Sequence, residues 1–215
     1  MGSFAGMALF PVFLELAGRP CLVVGGGAVA VRKVQGLLQA EASVTVISPT
    51  LTGQLAGLLA AGGIEHRPRP YRDGDLGGFV LAFAATDDDA VNAAVAAEGR
   101  RAGVWVNSAD DPAHCDFFLP SLLRRGRLTV AVGTGGGSPA LARAVREALE
   151  AHLPPEYATL ADVTIEVRDE LRGRAGSPDA ERWRRALGPD PRLLIGGGKR
   201  AEIKRRLVQR LEETA

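Results

Sequence analysis

Residues 21–33, CLVVGGGAVAVRK, place Gly25, Gly26 and Gly27 between a short apolar run and a helical period. A turn of this composition lets main-chain N–H groups come close to a ligand, and a helix N-terminus adds roughly half a positive charge to them. Phosphate is the chemistry such a turn serves. Gly25, Gly27 and Ala30 satisfy G-x-G-x-x-A directly after a strand and at the opening of a helix, the context in which that spacing points to a dinucleotide. Gly25 permits the tight turn and Gly27 the approach of a pyrophosphate. Ala28 and Val29 open the helix at the same contact, and Ala30 allows close helix-to-sheet packing. A glycine turn that merely packs is the bland alternative.

Two further stretches belong to the same chemistry. A strand that grips an adenosine ribose usually ends in Asp or Glu, whereas VTVISPT offers Ser48, Pro49 and Thr50. Pro49 and Thr50 are the expected ribose contacts. Exclusion of a 2′-phosphate by charge is weakened here, and NAD is the expected cofactor. After the fourth strand comes AATDD, where Ala85 and Thr86 sit at the carboxyl end of a parallel strand and Thr86 is expected on the nicotinamide side. Asp87, Asp88 and Asp89 equally suit the first turn of the next helix, where the dipole stabilises negative charge.

These motifs need a scaffold that brings strand ends together. CLVVG, SVTVIS, IEHRP, FVLAFAA and VWVNSA read as strands, and AVAVRKVQGLLQA, TGQLAGLLAAGG and DDAVNAAVAAEGRRAG as helices between them. Such alternation predicts right-handed βαβ units and a doubly wound, Rossmann-like parallel sheet. After Asn107 the loop SADDPAHCDF has no period, FFLPSL and RLTVAVGT read as strands, and SPALARAVREALEAHL as an amphipathic helix with Ser138 as N-cap and Pro139 at its first position. Beyond Pro155 only helices are expected, broken at GRAGSPD and GPDP. The expected organisation is an α/β dinucleotide domain over residues 7–109, a small α/β dimerisation and active-site segment over 110–153, and a helical region over 154–215.

Composition bounds the rest. The 215 residues are 46% apolar, enough for one substantial domain and an appendage. No apolar run approaches the roughly 20 residues of a membrane span, and no secretory signal is visible, so a cytoplasmic globular protein without membrane contact is expected. MGSFAG carries no pattern, and Met7 is an alternative start. Cys21 and Cys115 form neither a CxxC nor a Cys/His quartet, so no structural metal is assigned. The net charge of +1 gives no pull toward nucleic acid, and the Arg-rich stretch after Glu166 reads as a solvated helix face.

LFPVFLEL, CLVVGGGAVAVRK, FAATDDDAVN, VNSADDPAHCDFFLPSL and LTVAVGTGGGSPALAR follow one another in the order and spacing of the precorrin-2 dehydrogenase / sirohydrochlorin ferrochelatase family. From about Leu9 to Leu153 the chain resembles this N-terminal module of siroheme synthase. The resemblance implies oxidation of precorrin-2 to sirohydrochlorin with NAD as hydride acceptor, in siroheme biosynthesis. It also implies a homodimer whose second domain exchanges contacts across the two-fold. Some members then insert ferrous iron; the methyltransferase module fused to others is not expected here. Dehydrogenation also needs somewhere for a proton to go. By its position relative to Asn107 and FFLPS, Asp110 resembles the family's catalytic aspartate, and Asp111 would replace it were the loop aligned one residue out.

Asn107 and His114 are placed with the substrate. His114 stays open between a proton acceptor, an iron ligand with Asp110 or Cys115, and a surface group. Cys115 and Phe117 fit the family pattern, Phe117 as core packing. GTGGGSPALAR lacks the Lys of a P-loop, and the resemblance implies that Thr134, Gly135 and Arg143 receive tetrapyrrole carboxylates. A flexible turn at a dimer contact accounts for the stretch equally well. Thr134 stands where some relatives carry a serine. A reading from another class is a dinucleotide-sensing regulatory module without catalysis; a sensor has no use for the carboxylates of NSADDPAHCDF.

Overall fold

The computed structural model describes residues 9–109, 111–173 and 177–213. They fall into two compact units, Met1–Leu119 and Pro120–Ala215.

In the first unit the elements are β1 (Pro20–Val24), α1 (Ala28–Gln39), β2 (Ser43–Ile47), α2 (Gly53–Ala60), β3 (Glu65–Arg67), β4 (Leu81–Ala84), α3 (Asp89–Ala102) and β5 (Trp105–Ser108). They build a parallel sheet in the order β3-β2-β1-β4-β5, the doubly wound arrangement that the alternation predicts. β1 reads as a continuous apolar run because helices cover both faces of the sheet. On one face Ala30, Val31, Val34 and Leu37 of α1 and Leu55 of α2 pack on Cys21, Val23, Val44, Val46 and Phe83. On the other, Val95 and Ala96 of α3 pack on Leu22, Val24, Ile47, Ala82, Ala84 and Val106. α3 comes close enough that a Cβ on Gly99 would lie 2.3 Å from Val106 Cγ2. In register, Val24 stands between Ile47 and Ala84, so the three central strands end level.

The segment after β5 doubles back on that strand. Asp116 N donates to Val106 O at 2.8 Å, and Val106 N donates to Asp116 Oδ2 at 2.8 Å. A single 3-10 turn, Pro112–His114, lies between. Phe117 then packs edge-on against Phe83, with ring centroids 5.5 Å apart. The Phe117–Leu119 part of the strand expected over FFLPSL therefore belongs to this return, and the next strand begins only after Pro120.

The second unit starts with an antiparallel hairpin, β6 (Ser121–Arg125) and β7 (Leu128–Val132), followed by α4 (Pro139–Glu150), α5 (Tyr157–Leu171), α6 (Ala180–Leu187), α7 (Arg192–Ile195) and α8 (Arg200–Glu213). Ser138 caps α4, its Oγ accepting from Leu141 N at 3.2 Å, with Pro139 in the first turn. Leu160, Val163 and Val167 of α5 meet Leu194 and Ile195 of α7 and Ile203, Leu207 and Leu211 of α8 in a separate core. Along α5 and α8, Arg200 and Lys204 pair with Glu166, and Lys204 also with Glu170. These pairs are largely solvated, so each contributes little to stability. Much of the charge in this stretch is thus matched by its own carboxylates.

Candidate functional site

Strand order reverses between β1 and β4, and a crevice opens there at the carboxyl edge of the sheet, where open α/β sheets bind ligands. Its volume is about 470 Å³. Gly25 leaves β1 with φ +121°, and a Cβ on it would lie 2.2 Å from Ala85 O. A Cβ on Gly26 would lie 2.0 Å from Thr50 O. Neither position admits a side chain, because the main chain lies against the loops that leave β4 and β2. Gly27 differs: nothing lies within 4 Å of the Cβ it lacks, and it borders the crevice. It is also the N-cap of α1, with no side-chain cap and no acidic residue in the first turn. The first N–H groups of a helix have no intrahelical acceptor, so this end presents donors and a positive dipole to the crevice.

The surrounding loops are fixed by polar side chains. Ser48 Oγ donates to Thr50 O at 2.7 Å, and His66 Nε2 donates to Ser48 O at 2.9 Å. The end of β2 is thereby held without a carboxylate. Asn92 of α3, which is buried, accepts from Thr86 N and Thr86 Oγ1 and returns a bond to Thr86 O at 2.9 Å. Asp88 caps α3 by accepting from Ala90 N and Val91 N, while its neighbour Asp87 lines the crevice.

Pro70 and Tyr71, on the connection from β3 to β4, complete the wall. Two carboxylates tie that connection down. The buried Glu98 accepts from Tyr71 Oη and, at 2.9 Å, from Leu76 N. Burial, followed by the bond to Glu98, pushes the Tyr71 phenol far above its ordinary range, so it is a permanent donor. Asp75 accepts from Arg69 Nη1 and Nη2 at 2.7 and 2.6 Å and from Arg72 N at 2.8 Å. The Arg69 guanidinium holds the Asp75 carboxyl below the usual carboxylate range.

Gly25, Gly27, Pro49, Thr50, Ala85 and Thr86 line one crevice. Ala28 and Val29 open α1 beside it without being part of its lining. Asp110 lies outside the described residues. The Asn107 amide turns inward to Lys33, Cys115 and Phe117. His114 Nδ1 is hydrogen-bonded to Asp111 Oδ2, and this bond holds the Asp111 carboxyl below the usual range. Asp111 also accepts from Ala113 N at 3.2 Å, capping the 3-10 turn.

Thr134, Gly135 and Arg143 belong to the second unit. Thr134 Oγ1 donates to Ser138 O and accepts from Ser138 N, both at 3.0 Å, and Gly135 takes φ +63°. Arg143 is exposed and pairs with Glu147. Among the described residues no group of three or more His, Cys, Asp or Glu could hold a metal ion. Nor is any helix among them long and apolar enough to cross a membrane.

Sequence reading gave no role to Tyr71, Asn92, Glu98 or Lys33, and no local pattern marks them.

A parallel sheet with an uncapped glycine N-terminus at its reversal point defines a dinucleotide-binding protein of the Rossmann type. Residues 12–121 match the family described as "Putative NAD(P)-binding", and the chain belongs to that family. It is 43% identical over 212 residues to the siroheme synthase of Methylococcus capsulatus, covering 97% of this chain and 44% of that protein. Identity to the siroheme synthase of Nitrosomonas europaea is 43% over 199 residues, 91% of this chain and 42% of the relative. The chain thus spans less than half the length of these relatives. Among solved structures, SirC, precorrin-2 dehydrogenase, is similar with a TM-score of 0.70 and 26% identity, covering 95% of this chain and 100% of that one.

Proposed function

We propose that the chain oxidises precorrin-2 to sirohydrochlorin with NAD as hydride acceptor, in the cytoplasm and as a homodimer. The observation that carries this reading is the N-terminus of α1, bare of caps and acids and opening on the crevice at Gly27. The donor set fits a pyrophosphate: main-chain N–H groups of Gly27, Ala28 and Val29 are the holding groups, with Pro49 and Thr50 at the adenosine ribose. When bound, NAD takes a hydride from a carbon of the macrocycle. Ala85 and Thr86, fixed by Asn92, border the path toward the nicotinamide.

The accompanying proton goes to a carboxylate on the loop after β5, and we assign it to Asp110. The commitment of Asp111 to Ala113 N and His114 supports that choice over its neighbour. His114, paired with Asp111, is placed with the substrate, as is Asn107 through the loop it holds. Thr134, Gly135 and Arg143 contribute contacts to substrate carboxylates. Exposed apolar side chains support the homodimer: Phe10 and Phe13, 87% and 75% exposed, near one end of the chain, and Leu141 and Val145, one turn apart on α4.

Anaerobic turnover of precorrin-2 with NAD, with and without ferrous iron, tests the reading. Asp110→Ala is expected to lower turnover by roughly a hundred- to ten-thousandfold with NAD affinity nearly unchanged, and Asp111→Ala to do far less. Full activity in Asp110→Ala removes the assignment. A larger loss in Asp111→Ala moves it by one residue.

A further inference from the structure

Lys33 stands on the face of α1 that meets the sheet, where its ammonium meets both an aromatic ring and an amide. Nζ lies 5.0 Å from the centroid of the Phe83 ring and donates to Asn107 Oδ1 at 3.2 Å. Asn107, buried at the end of β5, gives its own amide to the returning loop: Nδ2 donates to Phe117 O at 2.9 Å and to Cys115 Sγ at 3.4 Å. Cys115 Sγ in turn accepts from Ser108 N at 3.3 Å and lies 3.2 Å from Ser108 O. The Phe117 ring leans on the same Phe83 that carries the ammonium. Helix α1, strands β4 and β5, and the far end of the loop therefore meet at one cation, and none of these side chains borders the crevice.

We propose that Lys33 is a positioning residue for the returning loop over residues 111–117. It orients the Asn107 amide so that Oδ1 faces the cation and Nδ2 faces Phe117 O and Cys115, which fixes the far end of that loop against β5. The inference rests on the function proposed above only where turnover is concerned. An amide that loses a charged donor at a buried site loses the reason for its orientation, and the two loop contacts made by Nδ2 are released with it. The ammonium itself need not touch substrate. A neutral side chain of the same length would keep the packing on Phe83 and lose the direction.

The test uses Lys33→Met, the milder Lys33→Gln, and Lys33→Arg as the conservative variant. The chain's two cysteines supply a readout free of substrate, because Cys21 is fully buried in β1 and burial pushes the Cys115 thiol up, so slow reaction is expected of it. With 5,5′-dithiobis(2-nitrobenzoate), Lys33→Met and Lys33→Gln are expected to expose one thiol equivalent about tenfold faster than the unsubstituted chain, and Lys33→Arg to restore the slow rate. In anaerobic turnover, kcat should fall about ten- to a hundredfold with the KM and Kd for NAD unchanged. An unchanged thiol rate overturns the proposal. So does release of a second equivalent from Cys21, which marks general loosening of the sheet, or loss of NAD affinity in step with kcat. If the unsubstituted chain shows no turnover, the proposed function fails while the thiol rates still decide the role of Lys33.

Discussion

Two glycine-rich stretches each lead into a helix, and they use their glycines in opposite ways. In the first, Gly25 and Gly26 cannot carry a Cβ because Ala85 O and Thr50 O occupy the space, and the helix that follows begins without a cap. In the second, Gly133 has nothing within 4 Å of the Cβ it lacks, and Ser138 caps α4 while the Thr134 hydroxyl bridges back to Ser138. Satisfying a helix end internally leaves fewer donors for a ligand. Leaving it bare costs stability and keeps donors for an anion. Composition alone does not separate the two; the backbone oxygens against Gly25 and Gly26 and the Ser138 cap do.

That contrast can be broken most sharply at Gly27. Gly27→Asp puts a carboxylate where a pyrophosphate belongs, so calorimetric titration with NAD should show no binding. The same side chain caps α1, and the unliganded protein should gain from a few tenths to about 1 kcal/mol of stability by denaturant unfolding. A protein that still binds NAD with unchanged affinity would end the phosphate reading. Gly25→Ala comes next: at φ +121° with a backbone oxygen in the way, it should cost about 1–3 kcal/mol and lower NAD affinity about a hundredfold. In the other stretch, Ser138→Ala should cost about 1 kcal/mol by loss of the cap and leave the NAD titration untouched. Gly133→Ala should be the mildest, a gain of about 0.4–1 kcal/mol from a stiffer unfolded chain, visible only as a small rise in melting temperature. A large effect of either on NAD affinity would make the two turns alike after all.

How much of this was legible depended on the range of the interaction. The spacing of Gly25, Gly27 and Ala30 reports a local backbone demand, and the order of short strands and helices reports the sheet; both are written in consecutive residues. The pairing of Tyr71 with Glu98 spans 27 positions and joins an irregular connection to a helix, so no period reveals it. Lys33 sits in a helical pattern where a lysine ordinarily marks the solvent side, and only the register of β5 places Asn107 within its reach. Phe117, Phe118 and Leu119 look like a strand because they are apolar in a row, yet the bonds between Asp116 and Val106 turn the chain back before Pro120 ends the segment. Asp111 and His114 read as chemistry in the sequence, and in space their side chains are engaged with each other.

The ion pair between Arg69 and Asp75 gives one wall of the crevice a sensitivity that the sheet lacks. Asp75 has a folded pKa below its unfolded value, so its contribution is complete above the ordinary carboxylate range near pH 4 and disappears as pH falls through the lowered value. Strands β1, β2 and β4 have no charged residue of their own. On acidification the connection that presents Pro70 and Tyr71 should therefore slacken while β1, β2 and β4 stay paired, making the protein a poor holder of its cofactor before it is an unfolded one.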